Sequence, residues 1–307
     1  MRIIKDTKID FMANIRIATF FSLVLILAGI GSMITKGGPK LSIDFKGGTL
    51  IAVNYTEAID INQVRSVLST IVIDGQSFDF SQAEIKHFGD QSNVAVRLPS
   101  MDNEPEKFSI NFVNKMAEAF PESIPDNRSD FILSIEKVGP KIGAELSGDA
   151  VMAILSALAL ILFYISIRFE WKYAVGAIAA LAHDILVTLG IFSILDYEVS
   201  LAVIAAFLTI VGYSLNDTIV IFDRVRENIK TMKKLSLIEV INNSINQSLS
   251  RTIITSLTTF LVVLVLFIAG GEVIHTFAFA MIIGVIVGTY SSIFVASPIV
   301  IKMGTSE

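Results

Sequence analysis

Long apolar runs dominate the chain. Six of them, residues 17–35, 150–167, 173–195, 199–221, 252–271 and 273–301, approach or exceed the roughly 20 residues that an α-helix needs to cross a bilayer core. The third run holds His183 and Asp184, the fourth Asp217 and the sixth His275; the remaining three carry no Asp, Glu, Lys, Arg or His. The last run exceeds one crossing, so its pattern leaves the end near Pro298 open. A charged start before the first run also has the form of a secretory signal peptide, with Gly29 and Gly31 as small residues near a cleavage site. Its length, and five further runs, favour a retained span.

Between the first two runs the pattern changes. Leu50 to Tyr55 reads as a strand, and Asp60 as the N-cap of a helix reaching about Ile71 with Val64 and Leu68 at helical spacing. A strand over 78–88, a turn at 89–93 and the alternating segment 94–98 predict a hairpin. Pro105 suits the first turn of a second helix, on which Phe108, Phe112, Met116 and Phe120 form a stripe, and a last strand covers 131–138. Strand, helix, strand, strand, helix, strand is the split ferredoxin-like order. The predicted fold class is thus a six-span α-helical membrane protein with an α+β ferredoxin-like domain between spans one and two.

Composition agrees: of 307 residues 53% are hydrophobic and 17% charged, against about 25% charged in soluble domains. There is no cysteine, and the histidines 87, 183 and 275 stand singly, which excludes disulfides and thiolate chemistry and argues against a metal site. Charge assigns the sides. Residues 1–16 hold Arg2, Lys5, Lys8 and Arg16 against Asp6 and Asp10; the segment 222–251 holds six basic residues against three acidic ones. The connections at 196–198 and 272 carry only Asp196, Glu198 and Glu272. Basic segments stay cytoplasmic, so both termini (1–16 and 302–307) and the 222–251 loop are expected inside, and 36–149 outside. That outer domain has 11 basic and 17 acidic residues, a poor surface for nucleic acid.

Asp217 is the most costly side chain: a carboxylate in a span costs at least about 2.5 kcal/mol unless paired, protonated or facing water. Its functional reading is a proton site with a movable partner; the bland one is a static salt bridge or packing hydrogen bond. Arg251 opens the fifth span on the same side, with Thr255 and Thr258 following at helical spacing and Thr259 close by, a polar stripe suited to an inward face. Arg251 also fits a plain positive-inside anchor. Asp184 is a second buried carboxylate, but adjacent His183 and Asp184 diverge by about 100° on a helix, so at most one is expected to line a path. His87 and His275 are expected to be ordinary. No Walker glycine loop occurs, no catalytic constellation is visible, and work done by this chain would draw on an ion gradient, without a cofactor.

Several motifs, in order, resemble the SecD/SecF family. They are Ile43-Asp44-Phe45-Lys46-Gly47-Gly48-Thr49, Val138-Gly139-Pro140-Lys141-Ile142-Gly143, His183-Asp184, Gly212-Tyr213-Ser214-Leu215-Asn216-Asp217-Thr218 running into 221–228, and Arg251 through Thr259. The resemblance is on the SecF side of this family of protein-export membrane proteins, within the resistance-nodulation-division superfamily. It implies a bacterial cytoplasmic-membrane location, a SecD partner, and association with the SecYEG channel, with YajC and with preprotein substrates. It further implies use of the proton motive force late in translocation, with protons as coupling ion. Asp217 would carry the proton and Arg251 would be its switching partner, with Asp184, Asn216 and Thr255 as further relay candidates. Asp44, Gly47, Gly48, Gly139, Pro140 and Gly143 would couple or hinge the outer domain. Two alternatives stand beside it: half of a proton-driven small-molecule or lipid exporter, for which one ferredoxin-like unit offers little pocket, and a non-transporting scaffold.

Overall fold

The computed structural model describes residues 7–304 apart from 74, 102, 103 and 106. Arg2, Lys5 and Asp6, counted in the N-terminal charge, lie outside the described residues, as does the side chain of Glu272. Two compact units emerge, 1–40 with 150–307, and 41–149.

The membrane unit contains α1 (Ile15–Thr35), then, from residue 150 on, the long helix Pro140–Arg168, whose first turns belong to the outer unit, and Trp171–Ile194, Leu201–Thr231, Leu237–Ala269 and Gly271–Ser291. A π-turn, Ser292–Ala296, leads into a final helix, Ser297–Gly304. All six expected spans are present as helices long and apolar enough to cross a membrane. The π-turn answers the question at Pro298: its imino nitrogen cannot serve the preceding turn, the ladder widens, Ser297 Oγ donates to Ser292 O at 3.0 Å, and the helix continues.

The outer unit holds α2 (Ile43–Lys46), β1 (Gly48–Asn54), α3 (Ile61–Leu68), β2 (Ile71–Ile73), β3 (Gln76–Phe78), β4 (Glu84–Phe88), β5 (Asp90–Leu98), α4 (Phe108–Ala119) and β6 (Ile132–Val138). The membrane helices after it are α5 to α9 in the order given, and the last helix is α10. The four-stranded sheet runs β4-β5-β1-β6, all antiparallel, the ferredoxin-like arrangement. Ile51 sits between Val96 and Ile135, and with Val53, Val94 and Leu98 it forms one face against Val64, Leu68, Phe108, Phe112 and Met116. Each such large side chain contributes about 1.5–3 kcal/mol on burial. Tyr55 meets Phe131 edge-on at 5.2 Å and donates to Met116 O at 3.3 Å; burial pushes its phenol up, so it remains a donor.

Four details correct the sequence reading. The expected strand 78–88 is broken: 76–78 pairs instead with 71–73 in a small hairpin, and the sheet strand starts at Glu84. The turn expected at 89–93 shrinks to Gly89, whose φ of 83° reverses the chain in one residue, so Asp90 already pairs with Phe88. The second helix starts at Phe108 rather than at Pro105, whose carbonyl accepts from Phe108 N at 3.0 Å. Lastly, the 222–251 segment is almost wholly helix. Helix α7 runs on to Thr231, and α8 begins at Leu237 behind a Ser236/Glu239 capping box. Asn228 Nδ2 ties the two extensions through Ser244 Oγ (2.9 Å) and Gln247 Oε1 (3.1 Å).

The amino-terminal strap is fixed to α8. Asn242 Oδ1 accepts from Phe11 N (3.0 Å) and Met12 N (3.2 Å), and Asn246 both accepts from Ile9 N (2.9 Å) and donates to Ile9 O (2.8 Å). At the other end, Asp196 takes a left-handed φ of 62° and pairs with Lys40 (3.0 Å) and Lys36 (3.2 Å). Between them α1 lies directly on α6: a Cβ on Gly29 would come within 2.5 Å of Gly190 Cα, so two glycines let the backbones touch.

A candidate proton site among the membrane helices

Helix α7 starts at Ser200, whose hydroxyl accepts from Val203 N, and its apolar face turns inward to bury Phe207, Ile210 and Val211. Asp217 continues that inward face at 3% exposure. Its Oδ2 is buried without a hydrogen-bond partner, as are the hydroxyl of Tyr213 one turn before it and that of Thr252 on α8. The groups facing the carboxylate are Tyr213 on its own helix and, on α8, the charge of Arg251 and the hydroxyls of Ser256 and Thr255. Arg251 is exposed and forms no salt bridge with Asp217 among the described residues. Thr255 donates to the backbone of its own helix at Arg251 O (3.1 Å) and Thr252 O (2.9 Å), and Ser256 is bound to Thr289 of α9 at 2.6 Å. The expected stripe is therefore real but divided, because Thr258 is exposed while Thr255, Ser256 and Thr259 turn partly inward. Leaving a buried carboxylate oxygen bare costs about 1–3 kcal/mol or more, which makes Asp217 a residue that packing alone does not explain.

Asn216, adjacent in sequence, points the other way. It is exposed, in line with Ala205, Thr209 and Gly212, and does not join the Asp217 cluster.

Asp184 is fully buried and fully bonded. Its Oδ2 accepts from Ser214 Oγ of α7 (2.6 Å) and Ser291 Oγ of α9 (2.8 Å), and its Oδ1 meets His183 Nδ1 at 3.0 Å. The other ring nitrogen of His183 meets Ser22 Oγ of α1 at 3.0 Å, and Ser22 meets Tyr290 OH at 2.9 Å. Although side chains of adjacent residues leave a helix about 100° apart, His183 and Asp184 meet because the imidazole folds back over the carboxylate. Ser214, three residues before Asp217 on α7, serves Asp184. Ser22, Tyr290 and Ser291 were not legible, since single hydroxyls in apolar runs are ordinary. His275 stacks on Phe267 at 4.2 Å and His87 is exposed on β4.

In the outer unit the motif glycines are places of close approach. A Cβ on Gly47, whose φ is 73°, would come within 3.0 Å of Pro140 Cα, and one on Gly143 within 2.8 Å of Phe45 O. Asp44 N donates to Ser42 Oγ, which donates back to Asp44 Oδ2 at 3.0 Å, fixing the turn of α2. Gly48, at φ 123°, abuts Leu98 O, whereas Gly139 has open space around it.

Residues 123–306 match the family model described as protein export membrane protein SecD/SecF, C-terminal. The chain belongs to the SecD/SecF family. It is 44% identical to protein translocase subunit SecF of Vibrio alginolyticus over 308 aligned positions, covering all of this chain and 93% of that one. It is 40% identical to the SecF subunit of Pseudomonas aeruginosa, covering 99% and 94%. Among solved structures, SecDF of Thermus thermophilus, titled a translocon-associated membrane protein, superposes with a TM-score of 0.84 at 39% identity. This chain is covered over 98% of its length there but spans only 39% of that SecDF chain. A SecDF structure titled as a super-membrane-facing form gives 0.69 at 38% identity. The SecD/SecF family thus accounts for the six helices and the intervening sheet domain together.

Proposed function

We infer that this chain is an accessory subunit of the Sec preprotein translocase of the bacterial inner membrane, acting with a SecD-type partner and drawing on the proton motive force. The observation that carries the reading is Asp217, a buried membrane carboxylate with one oxygen unbonded, facing an arginine on the neighbouring helix that has no ion pair among the described residues. Such a group is poised between two states, protonated and neutral, or ionised with Arg251 drawn in; a proton crossing the full potential supplies about 2.3 kcal/mol per 100 mV to bias them. No enzymatic step is required, and protons are the coupling ion.

The partner half belongs on the outward side of α7. Ala205, Thr209, Gly212 and Asn216 expose a small and polar stripe where lipid would gain nothing from Asn216, and α1, α5 and α8 have at most 17% of their apolar windows buried against about half in α6, α7 and α9. Basic segments orient both termini to the cytoplasm and 36–149 to the outside. Association with the SecYEG channel, with YajC and with preproteins is part of the same proposal, supported by relatives named protein translocase subunit.

The test is release of a secreted reporter from membrane vesicles, with and without a proton gradient, comparing wild type and Asp217→Asn at matched protein level. The gradient should accelerate release in wild type and not in Asp217→Asn. Equal acceleration in both removes Asp217 from coupling and returns it to a packing role.

A further inference from the structure

The second buried carboxylate carries a conclusion of its own, and it comes from counting hydrogens. Tyr290 OH lies 2.6 Å from Ala18 O, and a carbonyl only accepts, so the single phenolic hydrogen is used there. Ser22 must then donate to Tyr290 across 2.9 Å, which uses its only hydrogen. His183 Nε2, 3.0 Å from Ser22 Oγ, is left as the donor and carries a hydrogen. The remaining contact, His183 Nδ1 to Asp184 Oδ1 at 3.0 Å, needs one hydrogen more. Four contacts thus hold four hydrogens, one beyond what a neutral imidazole beside an ionised carboxylate supplies.

We propose that His183 and Asp184 together hold one exchangeable proton, and that this proton completes the hydrogen-bond chain linking α6 through Ser22 of α1 to Tyr290 of α9. With it the pair is an imidazolium beside a carboxylate, net neutral, which suits burial in a membrane; the two serine hydroxyls on Oδ2 keep the negative charge on Asp184. When the proton leaves, three hydrogens serve four contacts. The ring turns acceptor toward Ser22, and either the Ser22–Tyr290 or the Tyr290–Ala18 link is lost, so proton release loosens α1 from α9. In the chain α1 is followed, after residues 36–40, by the unit 41–149, and Ser214 holds Asp184 from a position three residues before Asp217 on α7.

The groups facing the pair are Ser22 from α1, Ser214 from α7 with Asp217 one turn on, and Ser291 and Tyr290 from α9. Of these Asp217 and Tyr290 titrate, and no Lys or Arg is ion-paired with Asp184 among the described residues. The 292–304 segment meets α6 around Gly176, two turns away. The proposal rests on the proton-coupled reading above and gives it a second proton site.

The experiment is 15N magnetic resonance of the full chain in lipid vesicles, in a His87→Gln, His275→Gln background, with the His183 signals identified by their loss in His183→Gln. Both ring nitrogens should be protonated at the acid end of about pH 5 to 9 and one at the alkaline end. Tyr290→Phe removes two of the four contacts, so the singly protonated ring no longer breaks a link. That ring should give up its proton at about tenfold higher proton concentration than in wild type. A ring singly protonated throughout, or one unmoved by Tyr290→Phe, overturns the proposal. If His183 titrates while vesicles show no gradient-driven release, the export reading fails and the proton pair stands; gradient-driven release with a silent His183 means the reverse.

Discussion

Two carboxylates lie inside the same bundle in opposite states. Asp184 has both oxygens bonded, to groups on its own helix and two others; Asp217 has one oxygen bare, and the cation facing it has no ion pair among the described residues. Exposure is nearly the same for the two, 0% and 3%. The contrast teaches that cost in a membrane is set by how completely a carboxylate is bonded rather than by depth. A satisfied group holds helices together, and an unsatisfied one is kept for what it does in another state.

The largest expected effect breaks the contrast at its bonded end. Asp184→Ala leaves His183, Ser214 and Ser291 without their acceptor and should destabilise the membrane unit by about 3–5 kcal/mol. Asp217→Ala should change stability by less than about 1 kcal/mol or raise it, because the substitution also removes the cost of the bare Oδ2. Thermal unfolding in detergent measures both, and equal losses would erase the distinction. A smaller effect tests whether α7 connects the sites. Ser214→Ala should cost about 1–2 kcal/mol, and a double-mutant cycle with Asp217→Asn in the vesicle assay should show an interaction beyond additivity. Strict additivity would make the two sites independent.

The smallest effect is a control outside the bilayer. The hydrogen bond from Lys40, then that from Lys36, holds the Asp196 carboxyl below the ordinary carboxylate range despite partial desolvation. A depressed folded-state value means the pair contributes fully above about pH 4 and is lost as pH falls through it. At 58% exposure the contribution is screened, so Asp196→Asn, which keeps the left-handed backbone accessible, should cost less than about 1 kcal/mol at neutral pH and nothing in acid. Unfolding midpoints at the two pH values check it.

The six spans were legible because twenty apolar residues have few other uses, and the outer domain because Val94, Val96 and Leu98 alternate while Phe108, Phe112 and Met116 do not. Boundaries were misread where two signals compete. The charges from Asp223 onward end a hydropathy run without ending a helix, and Pro105 fits the turn before a helix as well as its first residue. Asp217 announced itself by its cost. The Asp184 assembly did not, because its partners come from positions 22, 214, 290 and 291, which only folding brings together.

Asn242 and Asn246 hold the backbone of residues 9–12 almost entirely through uncharged amides, in the manner of a short ladder made of side chains. Neutral bonds are indifferent to counterions, so this anchorage should survive ionic strengths that strip the chain's surface charge pairs. The strap and the Asn228 tie between α7 and α8 are uncharged fastenings at one end of the bundle, with the Asp10 carboxylate, which accepts from Asn242 Nδ2, as a salt-sensitive contact beside them.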